Sequence, residues 1–192
     1  MKVLGFSGSP RVNGNTDLLL KELLKGAKDA GAETELIRVR SIEFDPCISC
    51  NRCFKTGRCE VKDGFQPILD KILEADHIVL ASPIYFMGLS AWAKALVDRC
   101  QCLWARKYKL NNPVPVKRGD ITRKGVFIST AGSKVPQAFD GAVFTVKFFF
   151  DAIGVSHHKD LLYKGVDEAG AIKKHPTAMK EAYETGVELV RG

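Results

Sequence analysis

No apolar run in this sequence approaches the roughly 20 residues that a membrane-spanning helix needs. The run after Met1 extends only from Val3 to Phe6, too short for the core of a signal peptide. No membrane contact and no export signal are expected, so the cysteines belong in a reducing, cytoplasmic setting, where metal binding is favoured over disulfides. Histidine is scarce, with four residues in all, and the one nearest in sequence to the cysteine-rich stretch is His77. Neither G-x-x-x-x-G-K-[ST] nor G-x-G-x-x-G follows the first strand, which argues against a nucleotide triphosphatase and a dinucleotide-binding domain. No Ser/His/Asp constellation and no carboxylate pair suggest a separate acid–base site, so no catalytic side chain is assigned. The formal net charge of +7 comes without interleaved aromatics or a recognition module, and nucleic acid is not an expected partner. Internal repeats and low-complexity tracts are also missing.

What the chain has instead is a concentration of thiols. Cys47, Cys50, Cys53 and Cys59 follow C-x2-C-x2-C-x5-C. A chain that winds once around an iron–sulfur cubane presents thiolates at this pitch, so the run points to one-electron chemistry. Zinc is the rival, but it usually takes two separated C-x2-C pairs or includes histidine. A thioredoxin-type pair would open a helix and need no third or fourth cysteine. Cys59 is the least determined ligand. In two-cluster ferredoxins the last cysteine of such a run binds the other cluster and precedes proline, whereas Glu60 follows Cys59 and no second run exists. Closure of all four on one centre is the simplest solution. Cys100 continues an apolar helix stripe and reads as core; Cys102 lies off it and reads as core or interface. Arg52, Lys55, Arg58 and Lys62 surround the cysteines, where they either offset anionic cofactors or form a solvated basic loop.

The rest of the chain alternates strand and helix patterns. Strands are expected at Lys2–Ser7, Thr34–Val39, His77–Ala81, Val126–Ser129 and, weakly, between Val155 and Tyr163. Helices are expected after Asn15 or Thr16 as cap, ending at Gly31; around Phe65, Ile68, Leu69 and Ile72; from Ser90 to Leu103; along Ala142, Val146, Phe149, Phe150 and Ile153; and along Met179, Ala182, Tyr183, Val187 and Val190, with Pro176 at its start. Alternation of this kind predicts an α/β fold with a doubly wound parallel sheet. Five strands favour the flavodoxin-like order 2-1-3-4-5, in a single domain over 1–192. Residues 40–63 lack periodicity and are long for a plain loop, so they are expected to carry their own organiser, such as a metal centre.

Three loops fall on the carboxyl edge of that sheet. In the first, Ser7 to Thr16, backbone N–H groups at a helix start favour an anion; Ser9, Asn15 and Thr16 can donate to phosphate oxygens, and Arg11 adds charge. The second is Pro83-Ile84-Tyr85-Phe86-Met87-Gly88. Its aromatic and thioether side chains can flank a flat ring, and its backbone can bond the ring edge. The third contains Thr130, Ala131 and Gly132, whose backbone can do the same. A polar turn with a helix cap, and aromatics packed inward, are the bland alternatives. His157 and His158 would point to opposite faces of a strand and do not read as a chelating pair. The basic segment from Arg106 to Lys124 reads as a solvated surface, or as a region that steers an acidic redox partner.

These three loops resemble the flavin mononucleotide (FMN) site of the NAD(P)H-dependent FMN reductase and flavodoxin-like superfamily. With Cys47, Cys50, Cys53 and Cys59 added, the chain resembles the iron–sulfur flavoproteins of anaerobic archaea and bacteria over nearly its whole length. The resemblance implies a [4Fe–4S] cluster on those four cysteines, non-covalent FMN, and assembly into homodimers or homotetramers. It also implies clusters near the flavins of neighbouring subunits. A ferredoxin-like donor would reduce the cluster, then FMN, then a small acceptor such as oxygen, peroxide or a quinone. The alternatives are an NAD(P)H-dependent FMN or quinone reductase, and a flavodoxin-like binding protein with structural zinc.

Overall fold

The first strand, β1 (Lys2–Ser7), is buried from Val3 onward on both faces, as a strand must be when helices cover each side of a parallel sheet. The computed structural model describes residues 1–192. After β1 come α1 (Asn15–Asp29), β2 (Glu33–Arg38), α2 (Cys53–Thr56), α3 (Phe65–Glu74), β3 (His77–Tyr85) and β4 (Gly88–Leu89). They are followed by α4 (Ala91–Arg99), α5 (Gln101–Tyr108), β5 (Lys117–Arg118), β6 (Ile121–Thr122) and β7 (Lys124–Ala131). The chain continues through α6 (Asp140–Ala152), β8 (Ser156–Lys164) and α7 (Ala178–Arg191). The main sheet runs β2-β1-β3-β7-β8, all parallel. This is the expected flavodoxin-like 2-1-3-4-5 order with two additions. β4 folds back antiparallel on the end of β3, and β5 and β6 form a separate hairpin.

The pleat divides the apolar residues between two cores. Leu4, Phe6, Ile78, Leu80 and Phe127 meet α3, α4, α5 and α6 on one face. Val3, Val79, Val126 and Ile128 meet α1 and α7 on the other. No helix is long and apolar enough to cross a membrane.

Several local expectations are corrected. The helix expected over Ser90–Leu103 is two helices, broken at Cys100, whose φ of −75° and ψ of 3° leave the helical well. β3 and β7 run four and two residues past their expected ends, so Ser82 to Tyr85, Thr130 and Ala131 are strand. Pro83 is tolerated there because β1 pairs with β3 only as far as Ala81, leaving that flank of β3 free of ladder bonds. The N-cap of α1 is Gly14 rather than Asn15 or Thr16, whereas the helix does stop at Gly31, which follows the C-cap Ala30 with φ of +99°. On α7 the buried positions are Ala182, as expected, with Ala178, Thr185, Gly186 and Leu189 in place of the larger Met179, Tyr183, Val187 and Val190. Small residues let α7 lie against α1 backbone to backbone. A Cβ on Gly186 would stand 2.0 Å from the carbonyl oxygen of Leu23, and one on Gly26 would stand 2.1 Å from that of Tyr183.

The basic segment is also not a plain solvated loop. Arg123 is fully buried. Its guanidinium donates to the carbonyls of Ile72 and Ala75 at the end of α3, and to those of Ile153 and Gly154 at the end of α6. Arg118 donates to Leu73 and Glu74 of α3.

Candidate functional site

Serines stitch together the carboxyl ends of β1, β3 and β7. Ser90 Oγ donates to the Gly8 carbonyl at 2.7 Å, Ser82 Oγ accepts from Ser90 N–H at 3.0 Å, and Ser129 Oγ donates to the Ser82 carbonyl at 2.7 Å. Gly8 fits this junction because a Cβ there would stand 2.6 Å from that of Ala93. The loop after β1 is held from beneath by Asp17, which is fully buried. Its carboxylate accepts from Ser7 Oγ and Asn13 N–H and pairs with Arg38 and Lys21. Burial opposes its charge, but the Asn13 N–H and the two cations hold its carboxyl below the usual range. Nothing in the spacing of the loop had singled out Asp17.

Above it lies a cavity of about 490 Å³, counting its open mouth. Ser9, Arg11, Gly14, Asn15 and Thr16 line it from the first loop, Pro83, Ile84 and Tyr85 from β3, and Thr130 and Gly132 from β7. The expected loops therefore meet, at the N-terminus of α1. Four expected positions do not line the cavity. Phe86 is fully exposed, Met87 is partly exposed, and Gly88 opens β4 opposite Tyr85. The cause is the two-residue turn between β3 and β4, which carries Phe86 and Met87 outward. Ala131 is buried behind the wall. Asn15 also departs from expectation. Its side chain donates to the Glu168 carbonyl at 2.9 Å and accepts from Ile172 N–H at 3.2 Å. It anchors a fourth loop, after β8, whose Val166, Asp167 and Ala169 complete the cavity. That loop lies on the same carboxyl edge, and this was the available signal for it.

The cysteine loop leaves β2 on that edge and returns to α3. Ser49 and Asn51 sit at φ of +52° and +54°, so the chain winds back on itself twice between Cys47 and Cys53. Gly57, at φ +70°, closes α2 against α5 where a Cβ would stand 3.1 Å from that of Arg106. Phe54 of α2 packs on Trp104 of α5, ring centroids 6.2 Å apart. Gln66 holds the exit of the loop, donating to the carbonyls of Cys59 and Val61 at 2.7 and 2.8 Å.

Cys47, Cys50, Cys53 and Cys59 all line one cavity of about 420 Å³ counting its mouth, together with Arg99 and Cys102. Around a single point, no three His, Cys, Asp or Glu side chains converge as ligands of one ion would. Burial pushes the Cys53 thiol up, and the neighbouring Cys47 and Cys50 thiols add to it. Cys102 is 1% exposed and stands behind the cavity, its thiol pushed up to about 12 by burial and by Cys59 and Cys53. Cys100 is core, as expected.

Arg99 was not picked out from sequence. It is 2% exposed and forms a two-point ion pair with Asp63, at 2.6 and 2.9 Å. It also donates to the Asp45 carbonyl at 2.7 Å and points Nη2 at Cys59 Sγ, 3.4 Å away. Burial opposes ionisation of Asp63, but the Arg99 bonds and Phe65 N–H hold its carboxyl below the usual range. The two donor sets fit different guests. Hydroxyls, N–H groups and a guanidinium at a helix start suit a phosphate, and four thiols beside a buried cation suit an anionic thiolate-bound metal centre.

The sequence model of the NADPH-dependent FMN reductase family matches residues 1–142. An iron–sulfur flavoprotein of Methanocaldococcus jannaschii is 50% identical over 103 residues, covering 54% of this chain and 53% of that protein. An iron–sulfur flavoprotein of Methanosarcina thermophila is 33% identical over 134 residues, 70% of this chain and 65% of that one. The chain thus spans about half to two thirds of the length of these curated relatives. Among solved structures, an NAD(P)H:quinone oxidoreductase from Methanothermobacter marburgensis superposes with a TM-score of 0.69 at 15% identity, covering 98% of this chain and 94% of that one. A flavone reductase superposes with a TM-score of 0.67 at 22% identity, over 99% of this chain and 62% of that one. At such identities the structural likeness speaks for the fold.

Proposed function

Since the chain belongs to the NADPH-dependent FMN reductase family, we propose that it is an oxidoreductase that binds FMN in the edge cavity and a [4Fe–4S] cluster on Cys47, Cys50, Cys53 and Cys59. The observation that carries this reading is the single cavity lined by all four thiols on the sheet edge that also holds the α1 N-terminus. The cluster would accept single electrons and the flavin would store them as pairs.

The chain's own residues would bind and tune. Ser9, Arg11 and Thr16 hold the phosphate with the loop N–H groups, while Asn15 stays with the β8 loop. Ile84, Tyr85, Thr130 and Gly132 flank the ring. Asp167, packed beside Gly132 at the cavity lip, suits a hydroxyl of the ribityl chain. Arg52, Lys55, Arg58 and Lys62 are exposed around the thiol cavity and would steer an acidic, ferredoxin-like donor toward it. The electron acceptor is a small molecule such as oxygen, peroxide or a quinone.

Assembly with a second copy is part of the proposal. Phe144 and Phe148 of α6 are 66% and 61% exposed and lie 4.9 Å apart. They border a groove with Trp104 and Gln101, and Gln101 also lines the thiol cavity. At the other end of α6, the β3–β4 turn meets Gly141. This apolar strip therefore runs from the flavin lip to the thiol cavity, and a copy docked on it would bring the two sites of different subunits together.

Anaerobic purification with iron, sulfide and flavin assays tests the proposal. About four irons and four sulfides with one FMN per chain are expected; zinc without sulfide would establish the flavodoxin-like binding protein instead. Rapid flavin reduction by NADPH alone, without reduced ferredoxin, would establish the NAD(P)H-dependent reductase.

A further inference from the structure

Arg99 ends α4, at the break the helix makes at Cys100. Its side chain is buried among Phe44 and Phe65, with the guanidinium carbon 4.7 Å from the Phe65 ring centroid and 5.8 Å from that of Phe44. A cation so placed needs acceptors, and its donors are divided unequally among them. Nη1 bonds Asp63 and the carbonyl of Asp45, just before Cys47; Nη2 bonds Asp63 and the sulfur of Cys59. The guanidinium therefore touches both ends of the cysteine run. Nε has no partner and is buried. Asp63 is itself fixed by Phe65 N–H at 3.0 Å.

A purely structural tie would be satisfied by Asp63 and the Asp45 carbonyl. The contact with Cys59 is an addition, and it reaches only one of the four thiols. Asp63 neutralises the monopole of Arg99, so the effect on Cys59 is short-ranged and carried by the N–H···S bond. Hydrogen bonds to cluster sulfurs are among the factors that set cluster potentials, because they withdraw charge from the thiolate and favour the reduced state. Partners that orient a ligand also slow its release.

We infer that Arg99 is a positioning residue for Cys59, holding its thiolate toward the cavity and raising the reduction potential of the iron–sulfur centre bound there. This rests on the cluster reading above. It also gives Cys59, the ligand least determined by spacing, a device that the other three lack.

The test compares anaerobically purified full-length wild type with Arg99→Gln and Arg99→Lys. The readouts are EPR-monitored midpoint potential, the rate of iron loss to a chelator, and circular dichroism with FMN binding as checks of folding. Arg99→Gln is expected to fold, to lower the potential and to lose iron about tenfold faster. Arg99→Lys keeps the charge but cannot serve Asp63 and Cys59 together, so its potential should also fall, by less. It carries the test if Arg99→Gln does not fold. Folded variants with unchanged potential and iron loss would overturn the inference while leaving the cluster reading intact. Wild type without iron and sulfide would overturn the cluster reading and this inference with it.

Discussion

Arg123 holds its charge without a bonded carboxylate. It does so by taking up carbonyls at the ends of α3 and α6, where the helix dipoles are negative. Burial pulls its pKa down to about 10, which leaves it protonated at neutral pH. Arg123→Met would strand these carbonyls, and urea unfolding should show a loss of at least about 3 kcal/mol, since each unsatisfied buried acceptor costs about 1–3 kcal/mol. His77 behaves in the opposite way. Burial lowers its pKa from 6.5 to about 4, and its Nδ1 accepts from Lys124 N–H. Between pH 6.5 and 4 the unfolded chain binds a proton that the folded chain does not, so stability falls as pH falls through that window. The loss should approach about 3 kcal/mol, and a His77→Asn variant, whose Oδ1 can replace the Nδ1 acceptor, should flatten the profile. At the anion loop, Arg11→Ala should weaken FMN about tenfold or more by fluorescence titration while leaving iron content unchanged, because charge-assisted bonds contribute about 1.5–3 kcal/mol. Of these residues only Arg11 was legible in the sequence. Arg123 sat in a run of cations and Arg99 on a helix flank. What buries them is the meeting of distant elements, which spacing along one segment does not encode.

Among the elements, the turn between β3 and β4 is the most unusual. Tyr85 pairs with Gly88 across a two-residue turn whose central residues, Phe86 and Met87, have φ of +48° and +61°. Turns of this kind favour Asn-Gly, and a left-handed conformation costs bulky residues about 1–2 kcal/mol each. Phe86→Asn with Met87→Gly should therefore raise the thermal midpoint; a lower midpoint would mean that the apolar side chains support the fold. The same substitution should weaken any self-association that uses the turn. The alternation of strands and helices was readable because buried strands and amphipathic helices carry distinct periods. Their ends were not. Pro83 reads as a strand breaker until it is seen that β1 no longer pairs there. Cys100 fits a continuous stripe although the backbone breaks at it. On α7 the larger apolar residues outweighed the small ones, yet Gly186 makes the contact with α1 because it permits the closest approach.

At the scale of the molecule, the strand order was legible from the number and alternation of elements together with the handedness of crossovers. That order also gave the address of the cysteine loop, since a segment leaving β2 toward α3 must start on the carboxyl edge. The apolar strip on α6 was less visible: the helix stripe turned Phe149 and Phe150 inward, as they are, but gave no sign that Phe148 stands exposed beside Phe144. Phe148→Glu should leave folding and cofactor content unchanged and shift the protein toward monomer in sedimentation. A persisting oligomer would move the interface elsewhere. The tether from Asn15 to Glu168 and Ile172 has a consequence in time as well as space. During synthesis the anion loop is made about 150 residues before the segment that fixes its first helical residue. Until then, the nascent chain displays a phosphate loop with an open side. In the proposed reading, secure loading of the nucleotide waits until β8 and its loop have been made, because only then are both walls of the phosphate loop in place.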